Sequence, residues 1–381
     1  MNDSLSWHGS DVDVSTLDRK LSGLWKEMAA RHQHVHPVRT QIFNLVVYTA
    51  DRAEADRIVD RLNALKQAHP SRTVILVADR FQSCSAIDAD VTVGFGLGEH
   101  HAPKCREQVL LTVRGRAADH LASVVLPLKI AELPTYLWWP GQPLFGHRMF
   151  HRLVSAADRL VVDSAEFEAP GDGLADLANL CAGRHSVNDF TWARLTPWRE
   201  VMAQFFDSQE MRPYVDGIQS LRLEFGAGKA ETSRVTAGVL LLLGWVSSCL
   251  DWEPETTIDR AVNQNVTFTL LQRERLIPVD VVFVDHGSAA TSHFMGLEII
   301  AHAPGKPETR FIVTRADDLQ TVHVCVEIAG DTESTRVVPL LTHSDEELLA
   351  DELAVTGNDS LYGTVVHVAS RLAGREVWRS T

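Results

Sequence analysis

Apolar positions along the chain repeat with two different periods, and the change of period marks out the elements. Leu17, Leu21, Leu24 and Met28 fall at helical spacing after Asp13–Ser15, with Gly23 as a mild interruption. In RTQIFNLVVYT, the residues Ile42 to Val47 read as a strand. Asp51 to Glu54 has the form of a capping box, opening a helix whose stripe is Ala55, Ile58, Leu62 and Leu65. TVILVAD, Thr73 to Asp79, is a second buried strand. Strand, helix and strand with short connections predict a βαβ unit, with parallel pairing and a right-handed crossover.

The alternation continues for another hundred residues. Val91–Phe95, Gln108–Val113, PTYLWW and Arg159–Ser164 read as strands; Ala117–Val125, Arg148–Ala156 and Leu174–Ala182 read as helices. Thr196 is placed to cap a helix with Pro197 at its first position and Trp198, Val201, Met202, Phe205 and Phe206 as its stripe. Phe206 to Gly217 is polar and turn-rich and offers the best boundary. Beyond it come the strand IQSLRLEF, an apolar helix over Glu231–Leu250 and then strand after strand: NVTFTLLQRER, PVDVVFVD, HFMGLEIIAH, TRFIVTR and TVHVCVEIA. Strands without intervening helices predict an antiparallel meander. Two helices close the chain, the first announced by the capping box Ser344–Glu347. The expected fold is α/β. An N-terminal helix and a Rossmann-like parallel-sheet domain occupy residues 1–210, and an α+β domain with a mainly antiparallel sheet occupies residues 211–381.

Composition narrows the classes of partner. Lys and Arg total 36 against 50 Asp and Glu, a formal net charge of −14. With no run of Lys or Arg, such a chain is poorly suited to nucleic acid or to an anionic membrane surface. The longest apolar run, Ala237 to Val246, is short of the ~20 residues that span a bilayer, and the first residues lack a signal-peptide pattern. The five cysteines, at 84, 105, 181, 249 and 325, contain no CxxC and suit a reducing compartment. A cytoplasmic protein is expected.

The motifs that usually carry chemistry are incomplete. GFGLGE, Gly94 to Glu99, has a glutamate where the third glycine of a dinucleotide loop belongs, and a carboxylate is electrostatically wrong beside pyrophosphate. FGAGKAETS, Phe225 to Ser233, lies between a strand and a helix but fails the Walker spacing. Gly226, Gly228 and Lys229 could still hold an anion at a helix N-terminus, which leaves a sugar-phosphate- or nucleotide-binding protein or enzyme as an alternative function. His32, His34 and His36 lack the companions of a zinc site, and His100–His101 and His286/His293 are weaker; no metal is expected. There is no GxSxG elbow, and Asp163-Ser164 at a strand end reads first as a cap. Neither a catalytic residue nor a cofactor is assigned.

LPTYLWWPGQP, Leu133 to Pro143, sets Trp138 and Trp139 side by side on a strand, so they point to opposite faces. One is expected to be buried and the other exposed. This stretch, together with RTQIFNLVVY, RLVVDSAEF, DFTWARLTPWREVMAQFFD, AGVLLLLGWVSSCLDW and NDSLYGTVVHVASRL, resembles the OpcA family in order and spacing from about residue 14 to residue 372. Members are known as glucose-6-phosphate dehydrogenase assembly proteins. The resemblance implies a non-catalytic partner of that enzyme, promoting its assembly and allosteric activation in the oxidative pentose phosphate pathway. It also carries a link, in photosynthetic bacteria, to thioredoxin-dependent control. Because Trp and Arg dominate interface hot spots, Trp138, Trp139, Trp192, Arg194, Trp198 and Arg199 are the candidate partner-binding residues.

Overall fold

A computed structural model describes residues 3–32, 41–64, 70–97, 103–183, 185–226, 235–260, 265–284, 293–340, 343–354 and 359–374. In chain order, the elements begin with β1 (Asp3–Gly9), α1 (Leu17–Arg31), β2 (Phe43–Thr49), α2 (Arg52–Ala64), β3 (Ser71–Asp79), β4 (Ala86–Leu97) and β5 (Pro103–Arg114). Then come α3 (Leu121–Val125), β6 (Thr135–Trp138), α4 (Arg148–Ser155), β7 (Arg159–Val162), α5 (Pro170–Ala182) and β8 (Ser186–Asp189). α6 (Phe190–Arg194), α7 (Thr196–Gln204), β9 (Ile218–Gly226) and α8 (Ala237–Leu250) follow. The strands β10 (Glu253–Arg260), β11 (Val266–Gln272), β12 (Arg275–Val284), β13 (Phe294–Ala301), β14 (Thr309–Arg315), β15 (Thr321–Ile328) and β16 (Asp331–Pro339) precede α9 (Asp345–Ala354) and α10 (Ser360–Leu372).

Two compact units share these elements. The first holds residues 1–166, 184–190 and 344–358, the second 167–183, 191–343 and 359–381. The expected single crossing at residues 210/211 is not among the places where the chain passes between them. The physical reason lies in helix packing: α5 packs on α10 and α8, and therefore joins the second unit despite its position among the first unit's strands.

The first unit is built on an 8-stranded sheet in the order β1-β4-β5-β3-β2-β6-β7-β8. From β5 to β8 every neighbouring pair is parallel; β4 runs antiparallel to β5, and β1 antiparallel to β4. All seven residues of β2 are buried, the mark of a strand covered on both faces. α1 is fastened by a buried cluster. The Glu107 carboxylate accepts from the Trp25 indole N–H (2.6 Å) and from Arg72 Nε (2.7 Å), while Arg72 Nη1 also reaches Asp18 (3.1 Å). Trp25, outside the expected stripe, is buried where Leu24 is only half-buried. Gly94 and Gly96 lie inside β4, opposite Arg106 and Lys104 of β5, so GFGLGE begins in an antiparallel hairpin; Gly98 and Glu99 fall outside the described residues. The Ser344 box forms as expected: Ser344 N–H donates to the Glu347 carboxylate (3.0 Å) and Glu347 N–H to Ser344 Oγ (3.2 Å).

The second unit carries an 8-stranded sheet in the order β10-β11-β12-β9-β13-β14-β15-β16, antiparallel except where β9 meets β12. Leu221, Leu223 and Phe225 of β9 point into the core, whereas Arg222 and Glu224 between them pair with each other. α8 is buried along most of its length and crosses α10 at Gly244, where a Cβ would meet the Val365 carbonyl oxygen at 2.7 Å. Among the described glycines the closest approach is at Gly217, whose added Cβ would lie 1.8 Å from the His302 carbonyl oxygen. No helix among the described residues is long and apolar enough to cross a membrane.

Candidate functional site

Counting only the parallel strands, β5-β3-β2-β6-β7-β8 reproduces the order 3-2-1-4-5-6 of doubly wound sheets. In such a sheet the crevice for a ligand opens beyond the carboxyl ends of the first and fourth of these strands, here β2 and β6. A cavity of about 170 Å³ sits there, lined by Glu54, Arg57 and Arg61 of α2, Trp138, Asp163 and Glu166 among others. α2 supplies its residues from one face, since positions three and four apart are neighbours on a helix.

The topology implies a dinucleotide, and the residues present do not fit one. The turn from β2 into α2 reads Thr49-Ala50-Asp51-Arg52-Ala53-Glu54 and contains no glycine. Its donors are taken by the chain itself. The Asp51 carboxylate accepts from Ala53 N–H (3.0 Å), Asp51 N–H donates to Thr49 Oγ1 (3.1 Å), and the Thr49 hydroxyl donates to Glu54. The expected capping box is thus half-formed: Asp51 caps, but Glu54 turns to Thr49. Across the crevice, Glu166 accepts from Gly141 N–H (2.6 Å). Burial pushes the Glu166 carboxyl above the usual range against the pull of that hydrogen bond, and the nearby Asp163, Asp345 and Glu54 carboxylates push it further. A pyrophosphate would meet carboxylates where it needs free N–H groups. Asp163 also caps, accepting from Ala165 N–H (3.2 Å), and Ser164 N–H donates to Asp189 (3.0 Å).

Trp138 and Trp139 do point to opposite faces, but both are buried, at 4% and 1% exposure, because both faces of this sheet are covered. The expectation of one exposed tryptophan is corrected accordingly. Trp138 lies at the crevice with Phe190 (ring centroids 6.4 Å apart); Trp139 stacks on Tyr48 (3.9 Å) and meets Phe150 edge-on (5.0 Å). In the second unit Trp198 is buried against Phe294 (4.2 Å).

Trp192 and Arg199 come together there. The Arg199 guanidinium stacks over the Trp192 ring at 3.3 Å, and the indole N–H donates to Asp359 (2.8 Å), which also caps α10 through the N–H groups of Leu361 and Tyr362. Thr196 does not cap α7, whose N-cap is Leu195; its hydroxyl accepts from Arg199 Nη2 (2.6 Å). Burial pulls Arg199 down to about 10, against the opposing effect of Asp359, Cys249 and Glu200, so it remains cationic at neutral pH. Arg194 is half-buried at the end of α6. No sequence signal pointed to Asp359, since its link to Trp192 spans 167 residues. Of the anion-binding candidates, Gly226 has its N–H taken by the His293 carbonyl (2.8 Å), and Gly228 and Lys229 lie outside the described residues, as do His34, His36, His100, His101 and His286. His32 bonds Asp3 (3.1 Å), and no metal-binding group of His, Cys, Asp and Glu forms among the described residues.

Strand order and crevice together define a doubly wound α/β protein whose switch point is refilled with carboxylates, joined to an α+β unit. The chain belongs to the OpcA family: residues 62–179 match the model described as glucose-6-phosphate dehydrogenase subunit N-terminal domain, and residues 185–366 the corresponding C-terminal domain model. The OxPP cycle protein OpcA of Synechocystis sp. is 28% identical over 262 residues, 68% of this chain and 54% of that protein. Its namesake from Nostoc punctiforme is 30% identical over 150 residues, 39% of this chain and 31% of that protein. The chain spans about half the length of the curated relatives it matches. Among solved structures, levoglucosan dehydrogenase in complex with NADH and L-sorbose is 10% identical, with a TM-score of 0.48 over 88% of this chain and 96% of that one.

Proposed function

We propose that this protein binds glucose-6-phosphate dehydrogenase and promotes its assembly and allosteric activation in the oxidative pentose phosphate pathway, without catalysing a reaction itself. The observation that carries this reading is the match to both family models, which together reach from residue 62 to residue 366. The refilled crevice supports the non-catalytic part, because Asp51, Glu54 and Glu166 occupy the place that a nucleotide-using enzyme keeps for phosphate. An activator works through a difference in affinity for two states of its partner, and a tenfold effect needs about 1.4 kcal/mol.

The test mixes the purified protein with the dehydrogenase of the same organism. Sedimentation and glucose 6-phosphate saturation are measured with and without it. Co-sedimentation with a lowered half-saturation point is expected; no complex and no kinetic change would overturn the proposal. Thermal shifts with glucose 6-phosphate and NADP⁺ on the protein alone address direct ligand binding. A ligand at about 100 times its Kd would stabilise by about 2.7 kcal/mol, and a flat response is expected.

A further inference from the structure

The six candidate partner-binding residues divide once their surroundings are known. Trp138, Trp139, Trp192 and Trp198 are buried and cannot reach a partner's surface. Arg199 differs from an ordinary buried arginine in what surrounds it. Its Nη2 is held by Thr196 and, at 3.4 Å, by the Trp192 carbonyl, while Nε is buried without any acceptor. No carboxylate among the described residues forms an ion pair with it, and Asp359 is engaged by the Trp192 indole and the α10 cap. The Trp192 ring fixes the plane of the guanidinium, and the Asp359 bond fixes the ring. A partly desolvated cation whose Nη1 bonds no described residue matches a carboxylate in charge, and such charge-assisted hydrogen bonds are the strong ones. Cys249, exposed on the last turn of α8, lies within electrostatic reach of the same guanidinium.

We propose that the Trp192–Arg199 stack is a docking point for an acidic side chain of the partner enzyme, with the Cys249 thiol at its rim. The inference rests on the partner-binding reading above. Arg199 is the anchor, Trp192 holds its orientation from beneath, Thr196 keeps Nη2 occupied, and Nη1, which bonds no described residue, is the nitrogen left for the incoming carboxylate. Asp359 and Glu200 lie within electrostatic reach of Arg199, but neither forms an ion pair with it, and its guanidinium is stacked on the Trp192 ring.

The experiment uses the full chain and its dehydrogenase. The alkylation rate of Cys249 by iodoacetamide is followed by mass spectrometry with and without saturating dehydrogenase, with the exposed Cys84 of the first unit as the reference thiol. In parallel, Arg199→Gln and Arg199→Lys are compared with the parent by sedimentation, and their thermal midpoints are measured. The expected result is slower alkylation of Cys249 alone in the complex. Arg199→Gln should weaken binding by about tenfold or more, as truncated hot spots do, with Arg199→Lys between the two. A complex that leaves Cys249 reacting at its free rate would overturn the docking point while leaving the partner reading intact. Failure of the unaltered protein to form any complex would instead remove the partner reading itself. Protection of Cys249 by inorganic phosphate or glucose 6-phosphate alone would assign the guanidinium to a small anion and overturn docking. If Arg199→Gln lowers the thermal midpoint, the footprint on the unaltered protein still decides.

Discussion

Glu352 is a carboxylate that the first unit holds at a cost, and removing its charge should stabilise the protein in a defined pH window. It sits on α9, where its side chain accepts from the Asn188 amide at the end of β8. Burial pushes it up from 4.5 to about 6; the Asn188 bond and Arg159 pull the other way, and Asp189 and Asp351 add to the push. An acid whose pKa is raised by folding is penalised when ionised, so the penalty is absent below pH 4.5, grows between 4.5 and about 6, and is complete above that. At about 1.4 kcal/mol per pKa unit, the gap makes about 2 kcal/mol. Glu352→Gln keeps an oxygen for Asn188 and discards the charge. In urea titrations the variant should therefore be more stable by up to about 2 kcal/mol near neutral pH, with no gain near pH 4 and an unchanged slope against denaturant. Equal stability at every pH, or a less stable variant at neutral pH, would refute the reasoning. Asn188 and Arg159 would then be compensating the buried charge in full.

Three further changes probe the packing. Glu107→Ala leaves the buried Arg72 with only Asp18 and the Leu128 carbonyl and removes the acceptor of the Trp25 indole, so it should cost about 3 kcal/mol in denaturant unfolding. Trp139→Ala empties the space between Tyr48 and Phe150 and should also cost about 3–5 kcal/mol, with loss of the near-ultraviolet circular dichroism of the stacked rings. Gly217→Ala forces a Cβ against the His302 carbonyl and should lower the thermal midpoint or abolish soluble expression, whereas Gly146→Ala, with nothing within 4 Å of its new Cβ, should leave both unchanged.

Where one element's own residues decide its structure, the sequence was readable. The largely apolar run of β2, the stripe Ala55, Ile58 and Leu62 of α2, and the Ser344 box each depend on neighbours a few positions away. What could not be read depends on partners far along the chain. β1 has a single buried residue, Leu5, and becomes a strand only by pairing with β4. Trp138 and Trp139 point to opposite faces, yet exposure depends on what covers each face, and Trp139 is covered by Tyr48 and Phe150. Thr196 has the residue type and position of a cap, but the continuous run of α6 into α7 makes Leu195 the N-cap and frees the hydroxyl for Arg199.

The same distance dependence explains why a chain rich in Trp, Pro and Arg motifs keeps most of them inside. An aromatic ring contributes most when its whole area is removed from water, and Trp138, Trp139, Trp192 and Trp198 each take that course. An arginine cannot follow them without an acceptor for its charge. Arg72 found Glu107 and Asp18 and became part of the core; Arg199 found a ring and a hydroxyl, and kept donors unused. Two arginines of one chain thus reach opposite ends of the same electrostatic rule. A paired guanidinium holds the fold together, whereas one without an ion pair among the described residues is held in plane by Trp192 and carries the docking proposal.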